Sequence, residues 1–276
     1  MAKRGNPAIS RAHALPSYSR KNSSRVQTIG IRLLFFTFLF ILWQTLFALK
    51  IWNEMLFPGP LEVITTAVAV LQDGSMATAV LASLKRLITG YGISVAVGIP
   101  LGLIMGRNRL IDETFGTLAL GLQALPSICW LPLAILWFGL NEIAICFVVI
   151  MGSVMAISLA VRDGVRGLSP LLLRAARVLG ADGASFYIHV LFPAALPSVV
   201  TGARLGWSFA WRSLMAAELL YGTVGLGSTL SMGRELHDMG LVVATMLIII
   251  AIGLIADRLL FGGMDTLIRA RWGTER

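Results

Sequence analysis

Arg174-Ala-Ala-Arg-Val-Leu-Gly-Ala-Asp-Gly-Ala-Ser-Phe-Tyr-Ile-His-Val-Leu-Phe-Pro193 is a polar interval set between long apolar runs. The rest of the chain is written for lipid. Of its 276 residues 57% are hydrophobic and only 13% charged, with a mean hydropathy of +0.80. Soluble domains carry about 25% charged residues, because a core of this size cannot hide so much apolar surface. The composition therefore describes an integral membrane protein.

A hydrocarbon core about 30 Å thick takes ~20 apolar helical residues to cross. Six stretches meet that length, approximately 29–49, 87–106, 117–138, 142–161, 196–218 and 239–260. They are continuously apolar, whereas a barrel strand alternates over ~10 residues, so the expected fold class is all-α with six transmembrane helices. Small residues recur every fourth position at Gly90, Ser94, Gly98, Gly102 and Gly106, again at Gly152, Ala156 and Ala160, and again at Ser198, Gly202, Gly206 and Ala210. Four residues advance ~400° around a helix, so each set forms a slowly drifting stripe along which a neighbour can approach closely. Pro100, Pro126 and Pro132 fall inside expected spans, where each bends its helix either as a fixed feature of the bundle or as a hinge.

Net charge +9 raises the possibility of nucleic acid, but the placement of the basic residues speaks for a membrane orientation. With the N-terminus inside, 16 of the 23 Lys and Arg fall on the inner side. Lys50, Lys85, Arg86 and Arg234 fall outside, and Arg204, Arg212 and Arg258 lie within spans. Both termini are thus expected in the cytoplasm. Residues 1–28, polar, basic and carrying Pro7 and Pro16, read as a disordered cytoplasmic tail rather than a cleaved leader. After the first span, 29–49, the Phe57-Pro-Gly-Pro60 break opens an outer amphipathic segment over 50–85, and 261–276 forms a second cytoplasmic tail.

Several chemistries are missing. The four lysines are followed by Arg, Asn, Ile and Arg, so no Gly-x4-Gly-Lys phosphate loop ending in Ser or Thr exists. His13, His189 and His237 are too dispersed to share a site, and no pair of carboxylates converges. Cys129 and Cys146 lie inside spans without metal-ligand spacing and read as small packing residues. The chain is therefore read as a non-enzyme with no cofactor of its own.

The opening stretch resembles the cytoplasmic loop of the permease subunits of binding-protein-dependent ABC importers, whose pattern is Glu-Ala-Ala, three residues, Gly, nine residues and Ile-x-Leu-Pro. Ala175, Ala176, Gly180 and Pro193 are in register, Val190 and Phe192 replace Ile and Leu, and Arg174 stands in place of the glutamate. The resemblance extends over about residues 77–273. Pro126, the run Trp130–Gly139, Thr201-Gly-Ala-Arg204, Ala217-Glu-Leu219, Gly225-Leu-Gly227 and Arg271-Trp-Gly273 look like the branch importing nitrate, sulfonates, taurine and bicarbonate.

That resemblance implies a type I ABC importer permease bundle in the bacterial inner membrane, with a core domain over 77–260 and a coupling loop over 162–195. It implies a homodimer, a dimer of ATPase subunits that binds the ATP, and an external substrate-binding protein. Arg174, Ala175, Ala176, Leu179, Gly180, Ala181 and Pro193 become the ATPase-coupling residues. Locally, Leu171 to Leu179 reads as a short helix ended by a left-handed turn at Gly180, followed by a second short helix from about Ala184 that stops at Pro193. A secondary transporter or channel is the alternative, which calls for inverted repeats or ion-coupling carboxylates within spans.

Ionisable residues inside a span are costly and point to function. From a span start near residue 196, a 1.5 Å rise puts Arg204 ~12 Å and Arg212 ~24 Å along the helix, about 80° apart in projection. Both are candidates to lower the barrier for an anion, with a structural pair or a headgroup contact as the competing roles. Glu218, at the outer end of the same span, is the third candidate along the pathway. The glycine-rich Tyr221–Gly227 segment after it reads as turns near an outer gate.

Overall fold

The structure is a computed structural model that describes residues 25–53 and 56–272. Most of the expected N-terminal tail lies outside the described residues, and its last four positions, 25–28, are already helical. The chain divides into two compact units, Met1–Ile51 and Trp52–Arg276. The first contains α1, Arg25–Ala48, whose stretch from Gly30 is long and apolar enough to cross a membrane.

The second unit contains α2 (Pro60–Gln72), α3 (Ser75–Arg107), α4 (Arg109–Ala124), α5 (Ser127–Phe138), α6 (Glu142–Arg166), α7 (Pro170–Val178), α8 (Gly183–Tyr221), α9 (Leu226–Glu235) and α10 (Met239–Trp272). No strand occurs among the described residues. Helices α3, α6, α8 and α10 are each long and apolar enough to cross a membrane, while α4 and α5 qualify only as a bent pair. With α1 that makes, among the described residues, five helices long and apolar enough to span, or six when the bent pair is counted as one.

Local chemistry sets the helix ends. The Asp73 carboxylate accepts hydrogen bonds from the Ser75 hydroxyl at 2.7 Å and the Ser75 N–H at 2.8 Å, which hold its carboxyl below the usual range. Gly74, at φ +80°, turns the chain between α2 and α3. Helix α3 consequently starts at Ser75 and runs for 33 residues, taking in the end of the segment expected to lie outside the second span. At the start of α6, Asn141 Oδ1 accepts from the N–H groups of Ile143 and Ala144. Helix α10 continues to Trp272, into the stretch expected as a tail.

The small-residue stripes are where helices meet. A Cβ on Gly90 would lie 2.8 Å from Val149 Cγ1, one on Gly98 3.0 Å from Val154 O, and one on Gly102 2.5 Å from Ser158 O. These pairings advance together along both chains, so α3 and α6 run parallel. Between them Ser153 Oγ donates to Ser94 Oγ at 2.7 Å. Gly202 and Gly206 bring α8 against Ala160, Ile157 and Ser153 of α6, with numbering that runs in opposite senses, so α8 is antiparallel to α6. Helix α6 is covered on both sides and contributes Ile145, Val148, Val149, Ile157 and Val161 to the buried core.

The third expected span is corrected. Helices α4 and α5 meet at a bend of 99° instead of forming one rod over 117–138. Pro126 explains the break: its ring disfavours helical backbone at the preceding residue, and Leu125 is extended at φ −76°, ψ 124°. Pro132 causes no break because it lies at the start of the α-helical part of α5, Leu131–Phe138, where a missing N–H costs nothing.

Pro193 is corrected too. It does not stop a short helix; α8 runs unbroken from Gly183 to Tyr221. A π-helical turn over Tyr187–Leu191 precedes the proline, with the Phe192 N–H bonded to Tyr187 O, so the ladder shifts register just where the missing donor would interrupt it.

The packing makes a direct test. Gly102→Val should destabilise the folded protein by about 1–3 kcal/mol or more, since α3 and α6 must separate to admit the side chain. Gly92→Ala, on the same helix with nothing within 4 Å of the new Cβ, should leave the thermal unfolding midpoint in detergent unchanged or slightly raised.

Candidate functional site

The polar interval folds into an elbow. Pro170 opens α7 at a position that tolerates it, and the helix ends in a Schellman motif. The Ala181 N–H reaches Ala176 O at 3.1 Å, the Gly180 N–H reaches Arg177 O at 3.0 Å, and Gly180 sits at φ +84°. The residues singled out for coupling divide between two faces. Ala176 and Ala181 turn inward with Leu173, Phe186 and Leu191, whereas Arg174, Ala175, Leu179 and Gly180 are exposed. Leu171, Leu172, Val178 and Leu179 add an exposed apolar surface to that outer face, Val178 and Leu179 being 88% and 86% exposed. Pro193 lies well along α8, apart from both faces.

An ion cluster stiffens the same end of the unit. Asp112, nearly buried in the π turn of α4, pairs with Arg162 at 3.4 Å and with Arg166, while Arg162 also holds Asp163 at 2.8 Å. The base of α4 is thereby tied to the last turns of α6.

Arg212 occupies a different environment, at the bend between α4 and α5. A cavity of about 310 Å³ opens there, lined by Gln123, Pro126, Ser127, Phe209, Arg212 and Ser213 among others. Ser213 Oγ donates to Ser127 Oγ at 2.8 Å across the bend. The Arg212 Nε donates to Ser208 O at 3.1 Å, and its guanidinium carbon lies 4.7 Å from the centre of the Phe209 ring. No carboxylate pairs with it among the described residues. Its charge is available to the cavity.

Arg204 does not share that cavity. Its Nε and Nη2 hold Asp257 at 2.9 and 2.6 Å, a two-pronged ion pair that fastens α8 to α10. The structural pair weighed for it in the sequence is what the geometry contains.

Glu218, expected along the pathway, is enclosed instead, with no exposed surface. Its carboxylate accepts from Ser83 Oγ at 2.7 and 2.9 Å, Arg86 Nη1 at 2.8 Å and the Gly227 N–H at 3.1 Å. Arg86 also donates to Val224 O at 2.8 Å and reaches Glu142 at 3.2 Å, and the Leu226 N–H donates to Ser83 Oγ. A Cβ on Gly225 would lie 2.6 Å from this carboxylate and one on Gly227 2.6 Å from Glu218 Cβ, so the glycine segment makes room for the acid. The carboxylate also sits at the start of α9, where the helix dipole favours negative charge.

Arg86 is expected on the outer side, just before the second span. It belongs to α3 and is 4% exposed. The available signal was the acid within the fifth span, which in an apolar setting demands a cation, together with Ser83 three residues before Arg86 on the same helical face.

A family model described as binding-protein-dependent transport system inner membrane component matches residues 98–261. A Methanocaldococcus jannaschii protein named as an ABC transporter permease is 36% identical over 79% of this chain and 83% of its own length. The taurine transport system permease protein of Escherichia coli is 27% identical over 85% of this chain and 86% of its own. The bicarbonate transport system permease protein of Synechococcus elongatus is 30% identical over 64% of each chain.

Glu218→Gln should destabilise the protein by about 3–5 kcal/mol, because Arg86 then loses its buried anion and keeps only the exposed Glu142. A thermodynamic cycle with Arg86→Gln checks the cause. The double variant should lose less stability than the two single changes together, and additive losses would count against a coupled pair.

Proposed function

This chain belongs to the family of binding-protein-dependent transport system inner membrane components, and on that premise we propose that it carries a small anionic solute across the membrane. It is a multi-pass membrane permease of an ABC importer and not an enzyme. ATP is bound by a partner ATPase dimer, an external binding protein delivers the solute, and two copies of the chain enclose the pathway. The elbow end faces the cytoplasm of a bacterial cell, with both termini on that side; the arginines gathered at that end support this orientation.

The exposed face of α7, with Ala175, Leu179 and Gly180, seats in the ATPase. Its small and apolar side chains present a smooth surface, and the Schellman turn fixes the angle at which α8 departs. Because α8 is one continuous helix from Gly183, a displacement of α7 is passed along it toward Arg212 and the bend at Pro126.

The observation that carries the solute class is Arg212, without a carboxylate partner among the described residues, on a largely apolar cavity that also holds Gln123, Ser127 and Ser213. Low local dielectric strengthens its attraction for an anion and raises the barrier for a cation. Taurine carries a sulfonate and bicarbonate is an anion, so the names of those relatives support the same class. A secondary transporter is disfavoured, since Glu218 and Asp257 are both committed to arginines.

Two measurements separate these roles. Ala175 is exposed, so Ala175→Glu should leave folding intact while abolishing uptake and hydrolysis stimulated by the binding protein; wild-type stimulation in the purified complex would remove α7 from coupling. Arg212→Lys keeps the charge and Arg212→Gln loses it. A charge-assisted hydrogen bond contributes roughly 1.5–3 kcal/mol, so Gln should cut uptake of the anion roughly ten- to hundredfold while Lys retains a substantial part. Equal uptake by the two variants would eliminate the electrostatic role.

A further inference from the structure

A second positively charged cavity, about 400 Å³, lies inside the elbow. It is lined by Arg107 at the end of α3, Arg177 near the end of α7, Ala181, Asp182 and Gly183 in and after the turn, and Phe186 and Tyr187 at the start of α8. The Arg107 and Arg177 guanidinium carbons lie 5.7 and 5.8 Å from the centre of the same Phe186 ring. Phe186 is only 6% exposed and forms a fixed wall, so both cations are held over one apolar platform.

What distinguishes these arginines is the absence of an acceptor. Nearby, Arg109 is paired with Glu113, and Arg162 and Arg166 with Asp112. Among the described residues no hydrogen bond or ion pair engages the side chain of Arg107 or Arg177. Asp182 lines the cavity without an ion pair to either. Two like charges converging on one space repel each other, and an anion placed between them reverses the sign of that interaction.

We propose that this cavity binds a phosphate group, held by the planar donor forks of Arg107 and Arg177, and that it does so at the joint between α3, α7 and α8. Guanidinium forks match tetrahedral oxyanions with paired N–H donors, and Tyr187 lines the same cavity. Arg177 follows Leu173 by four residues and shares its bundle-facing flank, while the surface reserved for the ATPase carries Leu172, Ala175 and Leu179. The cavity therefore adjoins that surface without including Leu172, Ala175 or Leu179. Arg107 ends a 33-residue apolar helix, the level at which phospholipid headgroups meet a membrane protein. The phosphate comes from a lipid headgroup or from solution. The inference goes beyond the transport reading and does not depend on which solute is carried.

The test uses the full chain co-purified with its ATPase. Inorganic phosphate is titrated calorimetrically in a neutral detergent, and thermal unfolding is followed in phosphatidylcholine vesicles with and without phosphatidylglycerol. Wild type should bind phosphate or gain stability with phosphatidylglycerol, and the double change Arg107→Gln with Arg177→Gln should weaken that effect at least tenfold. Arg109→Gln, outside the cavity, should behave as wild type. An effect confined to phosphatidylglycerol identifies the headgroup as the source, and one confined to free phosphate identifies the soluble anion. If the double variant does not assemble, Arg177→Lys, which keeps charge and loses the fork, should show an intermediate loss. The proposal is overturned if neither probe distinguishes wild type from the variants, if Arg109→Gln loses binding equally, or if the double variant only releases the ATPase with phosphate and lipid responses intact.

Discussion

A buried carboxylate held by a buried guanidinium ties the permease core together at one end. Glu218 of α8 has no exposed surface, and its donors come from two other helices: Ser83 and Arg86 from α3, the Gly227 N–H from α9. An unpaired charge here would cost several kcal/mol, so the pair dictates that α3 and α8 approach closely and that the intervening segment contain glycines. Gly225 and Gly227 have little conformational strain to relieve. They are small because a Cβ would overlap the acid.

From that anchor the rest of the architecture follows by close approach. The stripe on α3 presses into α6, and α6 in turn receives α8 from the opposite sense, leaving α6 enclosed and the remaining helices peripheral to it. A second ion pair, Arg204 with Asp257, fastens α10 to α8. On α8 itself Arg204 is committed to Asp257 while Arg212 has no carboxylate among the described residues, which sets the two arginines apart chemically. Arg212 lies where the chain departs from regular helix, at the Pro126 bend, and irregular backbone at membrane depth is tolerated where it lines a cavity.

The two ends of α8 serve different purposes. Its N-terminal turns form one wall of the elbow and carry a π-helical turn that accommodates Pro193; its C-terminal turns carry Glu218. The elbow itself owes its angle to two backbone hydrogen bonds and a left-handed glycine, and its inner side is left with two arginines over a phenylalanine ring.

Much of this was legible in the residues. Hydropathy is a sum over twenty-residue windows and survives ignorance of packing, so the membrane class and most spans could be read directly. The register of Ala175, Ala176 and Gly180 located the elbow, because a left-handed turn after a short helix has a narrow residue requirement. The four-residue stripes announced close contacts, since small side chains in lipid have little other use. What the sequence left undecided was everything set by partners distant along the chain. Hydropathy placed the third span in one piece and could not show that Arg86 is neutralised by an acid 132 residues away, and a proline breaks or merely decorates a helix according to what its neighbours can satisfy. Arg204 and Arg212 look equivalent on one helix; only the tertiary structure supplies Asp257 to the first and a cavity to the second. Local propensity and composition are properties of a segment, whereas the free energy of a buried charge is a property of its surroundings.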